Sequence, residues 1–384
     1  MSANEKLASP PQLVGKSSRP SWGILTLATV LGGAIAYAAI TAVLKSEFAN
    51  LLFKSSNIEL PILLVCWVLA AWLSITMHEV GHLLGAAISG LSPVLLFSGP
   101  LQIEVENKKV RTSFNRHVST WGGLAVAIPK EGHVLSTGQA ISTVAGGPLT
   151  SSITALIFLS LFQSTDGLTA IFLLILGLMS AAIGIATLIP LNSSGFASDG
   201  GQLWQLINGN ANAIQRLALA TVSGQNFSGQ RPKNWDLLAL QSIASETNDV
   251  VIKSSALLLA AQVLDDRNVA CDAQKGFEDL ASHLHAGGLA SYPSAFRAGL
   301  IFPIVIFLAQ RCANAESAQQ WLEAIPKGLE DPYERLQAMA AICKAKGDDF
   351  NAKKLAQEAL AELSKGSLTG LRQVAIERLT ELMS

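Results

Sequence analysis

The chain has 384 residues, a formal net charge of −1 and no basic block, so it offers no electrostatic footprint for nucleic acid. Half of its residues are hydrophobic, 14% are charged and the mean hydropathy is +0.39, whereas an ordinary soluble protein has about 25% charged residues. Apolar residues concentrate before residue 191 and charges after residue 210, which separates a membrane half from a water-soluble half.

Residues 1–20 are polar, rich in Pro and Ser, and carry Lys6, Lys16 and Arg19, which predicts a disordered cytoplasmic tail. A membrane domain is expected over 21–204, with spans at about 22–43, 59–89, 140–162 and 168–191. Each offers about 20 apolar or small residues, the length that crosses a hydrocarbon core. The first is too long for a signal-peptide core and no small-residue cleavage site follows it, so it reads as a retained helix. Recurring small residues (Gly32, Gly33, Gly146, Gly147, Gly177 and Gly184) permit close helix packing in lipid. The link between the second and third spans carries Lys108, Lys109, Arg111, Arg116 and Lys130, and the link near Asp166 carries no basic residue. The positive-inside rule then puts both termini in the cytoplasm.

The second span contains His78-Glu79-Val80-Gly81-His82. On a helix, positions i and i+4 share a face, so both histidines can point at one ion, with Glu79 beside them to act on a water. With 6 His in the chain, random order gives on the order of 0.004 such strings, so the motif is not a compositional accident. A catalytic zinc needs about three protein ligands. Asp199, in the glycine-flanked stretch after the fourth span, is the natural third, since that span ends at the same membrane face as the histidines; as a bland alternative it caps a helix.

Between the second and third spans, Leu101, Ile103 and Val105 alternate with Gln102, Glu104 and Glu106, and Val110, Thr112 and Phe114 alternate again after Asn107-Lys108. That pattern predicts a β-hairpin, which either covers the site or offers a strand edge to an extended substrate. His117 and His133 in the same link read as solvated loop residues, and His283 and His285, at i and i+2, share no helix face.

A linker is expected over 205–233 and a soluble helical-repeat domain over 234–384. Three stretches there look alike, and Ala352, Ala356 and Ala359 fall on one helix face. Residues 299–309 are strongly apolar but too short to span, so they read as a buried helix. The repeats resemble a degenerate tetratricopeptide-type stack, whose concave surface would dock a cytoplasmic protein. The four cysteines (Cys66, Cys271, Cys312 and Cys343) form no paired motif and read as free thiols.

The motifs together resemble the site-2 protease family of intramembrane metallopeptidases. That family carries HExxH in one membrane helix, a Gly-Pro element in a later one and an Asp-Gly motif beyond; here Gly147-Pro148 and Asp199-Gly200 stand at those places. The resemblance covers roughly residues 59–204 and implies Zn²⁺ held by His78, His82 and Asp199, with Glu79 as catalytic base. It also implies that Gly147, Pro148, Ser151 and Asn192 lie near the substrate; the family often has Asn where this chain has Thr187 and Ser151. The fold implied is an all-α polytopic membrane protein with a small β element, in a bacterial plasma membrane. Its substrate would be a membrane-spanning protein, such as an anti-sigma factor or a signal-peptide remnant. Two other classes fit parts of the sequence. One is a catalytically inactive scaffold of the same fold, and the other is a transporter, which also places ionisable residues in the membrane.

Overall fold

The computed structural model describes residues 2–11, 60–106, 109–115, 120–130, 133–193, 196–292, 297–325, 332–366 and 368–384. The segment expected to span at 22–43, the turn residues Asn107 and Lys108, and His117 lie outside the described residues.

Among the described residues, three helices are long and apolar enough to cross a membrane: α2 (Leu60–Ile88), α3 (Thr137–Phe162) and α4 (Gly167–Leu188). Uncharged runs of Leu, Ile, Val and Ala build them, and side chains such as Val68, Leu156 and Ile185 are exposed, as a lipid-facing surface requires. Ser136 starts α3 through a capping box with Gln139, which satisfies two backbone N–H groups at its end. Small residues let α2 and α3 touch along their backbones. A Cβ on Gly85 would collide with the Ser142 carbonyl and one on Gly146 with the Gly81 carbonyl, while Ser142 Oγ donates to Gly85 O at 2.8 Å. Helix α4 closes the trio, with Ser180 Oγ donating to Ser74 Oγ at 3.2 Å in its buried seam.

The link between α2 and α3 is a four-stranded antiparallel sheet in the order β3-β2-β1-β4. Its strands are β1 (Ser92–Ser98), β2 (Leu101–Glu106), β3 (Lys109–Phe114) and β4 (Leu124–Ile128). The expected hairpin is β2–β3, with Ile103 opposite Thr112. It is only the outer half of the sheet, because β1 and β4 are the strands that pack on α2. Trp72 Nε1 donates to Ser98 O at 3.0 Å and Thr76 Oγ1 lies 2.7 Å from Ser98 Oγ, pinning β1 to α2.

After α4 the chain makes a two-residue ladder, β5 (Asn192–Ser193) with β6 (Phe196–Ala197), and enters α5 (Asp199–Ile207). Residues 205–233 are not a loose linker. Most of them form α6 (Ala211–Phe227), which joins the two halves. Thr221 Oγ1 accepts from Leu135 N at 3.2 Å on the sheet side, and Asn226 Oδ1 accepts from Leu371 N at 2.9 Å on the other.

The rest is helical: α7 (Leu237–Glu246), α8 (Val250–Asp266), α9 (Ala270–His283), α10 (Arg297–Gln310), α11 (Ala315–Glu323), α12 (Pro332–Ala345), α13 (Asp349–Leu363) and α14 (Gly370–Met383). The short apolar stretch at 299–309 is the core helix α10, buried at every position from Leu300 to Ala309 except Pro303. Phe277 and Phe307 stack there with ring centroids 4.4 Å apart. Ala352, Ala356 and Ala359 are all fully buried on one face of α13, as their spacing requires. Buried Asp265 is paired by Arg311 at 3.1 Å and Arg378 at 2.6 Å, so the one carboxylate ties α8 to the residue that follows α10 and to α14.

The start of the chain departs from expectation. Residues 2–11 are not a free tail. Ser2 and Glu5 form a capping box on a six-residue helix α1 (Ala3–Ala8), whose Leu7 is 2% exposed in the core formed by α9–α14. A polar segment with one buried leucine carries no periodic signal, which is why it reads as disordered in isolation.

Candidate metal centre

Helix α2 presents His78 and His82 from successive turns of one face toward α3, and the N-terminus of α5 brings Asp199 to them. His78 Nε2 lies 3.2 Å from His82 Nε2 and 3.1 Å from Asp199 Oδ2, and His82 Nε2 lies 3.6 Å from Asp199 Oδ1. Ligand atoms of His78, Glu79 and His82 all fall within 4.8 Å of one another. Three groups 121 residues apart at the extremes thus converge on one point.

The other ring nitrogens are held as a metal site demands. His82 Nδ1 lies 2.9 Å from the Thr143 carbonyl, which can only accept, so Nδ1 carries the proton and a neutral ring leaves Nε2 bare. His78 Nδ1 lies 2.9 Å from Ser151 Oγ, itself 1% exposed. Outer partners of this kind fix ring orientation and tautomer in metal sites. Two imidazole nitrogens and a carboxylate, backed in this way, are a donor set suited to Zn²⁺.

Ser198 caps α5 by accepting from Gly201 N at 3.2 Å and donates to Ile189 O at 2.6 Å, which ties the helix start to the end of α4. Asp199 is therefore a first-turn residue rather than the cap, and its carboxylate is free to face the histidines. A Cβ at Gly200 would collide with the Leu188 carbonyl, so glycine is what lets the two elements approach.

The remaining expected residues fall out unequally. Gly147 lies under the imidazoles, where a Cβ would collide with His82 Nε2 and crowd His78 Cε1. Pro148 is buried inside α3. Ser151, expected near the substrate, is spent on His78. Asn192 enters the short β5–β6 ladder through its backbone, opposite Ala197. His133 is exposed and is not among the clustered ligands.

Two contributors went unforeseen. Thr143 acts through its carbonyl, which no side-chain pattern announces. Gly123, with φ +105, lies against Glu79: a Cβ there would collide with Oε1. Gly123 immediately precedes β4, an edge strand, so the edge near the cluster belongs to β4 and not to the hairpin.

No family model, no curated protein and no solved structure matches the chain. The class of protein must be argued from the site itself.

Proposed function

We propose that the chain is a zinc-dependent intramembrane peptidase of the site-2 protease type, cutting membrane-spanning protein substrates near the cytoplasmic face. The observation that carries this reading is the convergence of His78 Nε2, His82 Nε2 and the Asp199 carboxylate beside the Glu79 side chain. His78, His82 and Asp199 would hold the metal. Bound zinc would polarise the scissile carbonyl and lower the pKa of water toward about 7. Glu79 takes the proton of the attacking water and returns it to the leaving amine, help worth roughly 10²–10⁴ in rate. Among the described residues β4 pairs only with β1, so its outer edge could pair with an extended substrate backbone, which suits a substrate helix that must unwind before cleavage.

The topology belongs to the same proposal. Residues 2–11 pack among the C-terminal helices, which supports a topology with both ends of the chain on one side of the bilayer. Three crossings would put them on opposite sides, so the proposal keeps the fourth span expected from the apolar sequence at 22–43. The soluble helices are read as a tetratricopeptide-like stack in which α12 and α13 pair across the Gly347 turn.

The test is zinc content and cleavage of a model transmembrane substrate by purified protein in detergent. Wild type should hold near one zinc and cut. Glu79→Gln should hold zinc without cutting, and Asp199→Ala should lose the metal. A wild type that takes up no zinc on reloading, or a Glu79→Gln protein that still cuts, would sink the reading; the former would leave a catalytically silent scaffold.

A further inference from the structure

The contact between the two ends of the chain has the form of a recognition site. Only one side chain of the N-terminal segment is deeply buried, Leu7, while residues 2–5 are exposed. Trp321 and His285 both reach backbone carbonyls of the segment. Trp321, fully buried, donates its indole N–H to Leu7 O at 2.8 Å. His285 Nε2 lies 3.0 Å from Lys6 O and 2.8 Å from Ser9 O, both acceptors, so it donates. Lys6 and Leu7 are in the last turn of α1 and Ser9 is its C-cap. The last carbonyls of any helix lack intrahelical partners. The slot therefore reads a helix C-terminus: one leucine in its last turn, and three carbonyls that every sequence supplies.

We propose that the soluble helices carry a receptor slot, built on Trp321 and His285, for the C-terminal end of a short leucine-bearing helix, with residues 2–11 as its tethered resident. The partner that fits is a protein segment of the same chemistry, and it binds by displacing the resident. A helix of six residues is not stable alone, so α1 folds only as it docks. The carbonyls that Trp321 and His285 bind are present in any sequence, so another chain can reproduce those contacts. An empty slot would strand the buried indole N–H of Trp321, which favours exchange of one segment for another over vacancy. Displacement frees the N-terminus from the C-terminal helices and unties the two ends of the chain. None of the residues involved belongs to the His78–His82–Asp199 cluster.

The experiment uses a fluorescein-labelled peptide of residues 2–11 and the full-length chain in detergent, followed by anisotropy. Leu7→Asp removes the resident's anchor and should leave the slot open to the peptide. Wild type should bind it at least about tenfold more weakly, since a tethered segment competes at an effective concentration near the millimolar range. Adding Trp321→Phe to Leu7→Asp should weaken the peptide again, and the Leu7→Ala peptide should fail. Hydrogen exchange on wild type reads the same slot without a variant: amides of residues 3–9 should exchange while α10 and α11 stay protected. Equal peptide binding by wild type and Leu7→Asp, a folded Leu7→Asp protein that ignores the peptide, or exchange of residues 3–9 only with global unfolding would each overturn the proposal. Collapse of Leu7→Asp would also overturn it, since the segment would then be an obligate part of the core.

Discussion

His78 Nε2 and His82 Nε2 face each other at 3.2 Å, with their rings edge to face at 90°. Two bare imidazole lone pairs at that distance repel each other, and a positive group between them would relieve the repulsion. His82 cannot supply a proton there while neutral, because its own is committed to Thr143 O. In the proposed site a divalent cation would satisfy both nitrogens and the Asp199 carboxylate together.

Ser151 should matter through His78. Its hydroxyl is the Nδ1 partner, and second partners of metal-bound histidines are typically worth about 10–100-fold in metal affinity. Ser151→Ala should weaken zinc binding by about that factor in a chelator competition while leaving the melting transition in place. Unchanged affinity would show that the hydroxyl merely fills space.

Two glycines should separate metal binding from proton transfer. Gly147→Ala drives a methyl into the histidine rings and should lose zinc, at an overpacking cost of about 1–3 kcal/mol. Gly123→Ala collides with Glu79 and strains a backbone at φ +105, so zinc should stay while cleavage falls by roughly 10²-fold or more. Gly138→Ala, with nothing within 4 Å of the added methyl, is the neutral control in α3. Zinc titration and cleavage assays on the three proteins check the pattern. Loss of zinc in Gly123→Ala would put that loop in the metal's support rather than the base's.

What could be read from the sequence follows from the range of the forces involved. The apolar helices were legible because length and hydropathy are local properties, and observed bounds of Leu60–Ile88 and Gly167–Leu188 sit close to those expected. The histidine face followed from helix geometry alone. Asp199 required the further argument that two helices end at the same membrane face. The hairpin β2–β3 was legible from alternation, but β1 and β4 were not. Leu124-Ala125-Val126-Ala127-Ile128 is apolar throughout, and β1 carries Pro93 with a bulge between Pro93 and Leu95. The docked N-terminus was beyond reach, because the partner that orders Leu7 stands 314 residues away. The same holds for α6, whose function as a bridge depends on Thr221 and Asn226 meeting residues far along the chain.

Packing in α13 gives a prediction for the C-terminal helices. Ala352, Ala356 and Ala359 are each 0% exposed, so α13 sits against its neighbours with no room beyond a methyl. Ala356→Leu should destabilise this half by about 1–3 kcal/mol, read as an earlier denaturant midpoint, while Ala361→Leu on the exposed face should be close to neutral. Equal effects from the two would mean that the buried face is not closely packed.

The C-terminal half should also lose stability in mild acid, through His283. Burial holds the imidazole below its ordinary pKa of 6.5; the Lys253 ammonium adds to that, while the Val250 carbonyl, 3.4 Å from Nε2, opposes it. In the unfolded chain the ring takes up a proton near pH 6.5, while in the folded chain it does so only at lower pH. Between those two values the unfolded state binds more protons, so stability rises with pH there. The contribution is complete above about pH 6.5 and is lost as pH falls toward the folded value. Thermal melts between pH 8 and pH 5 should show the transition falling on the acid side. His283→Gln keeps an amide near Val250 and removes the titration, so its melting curve should be flatter over the same window. An identical slope in the variant would assign the acid sensitivity to other groups.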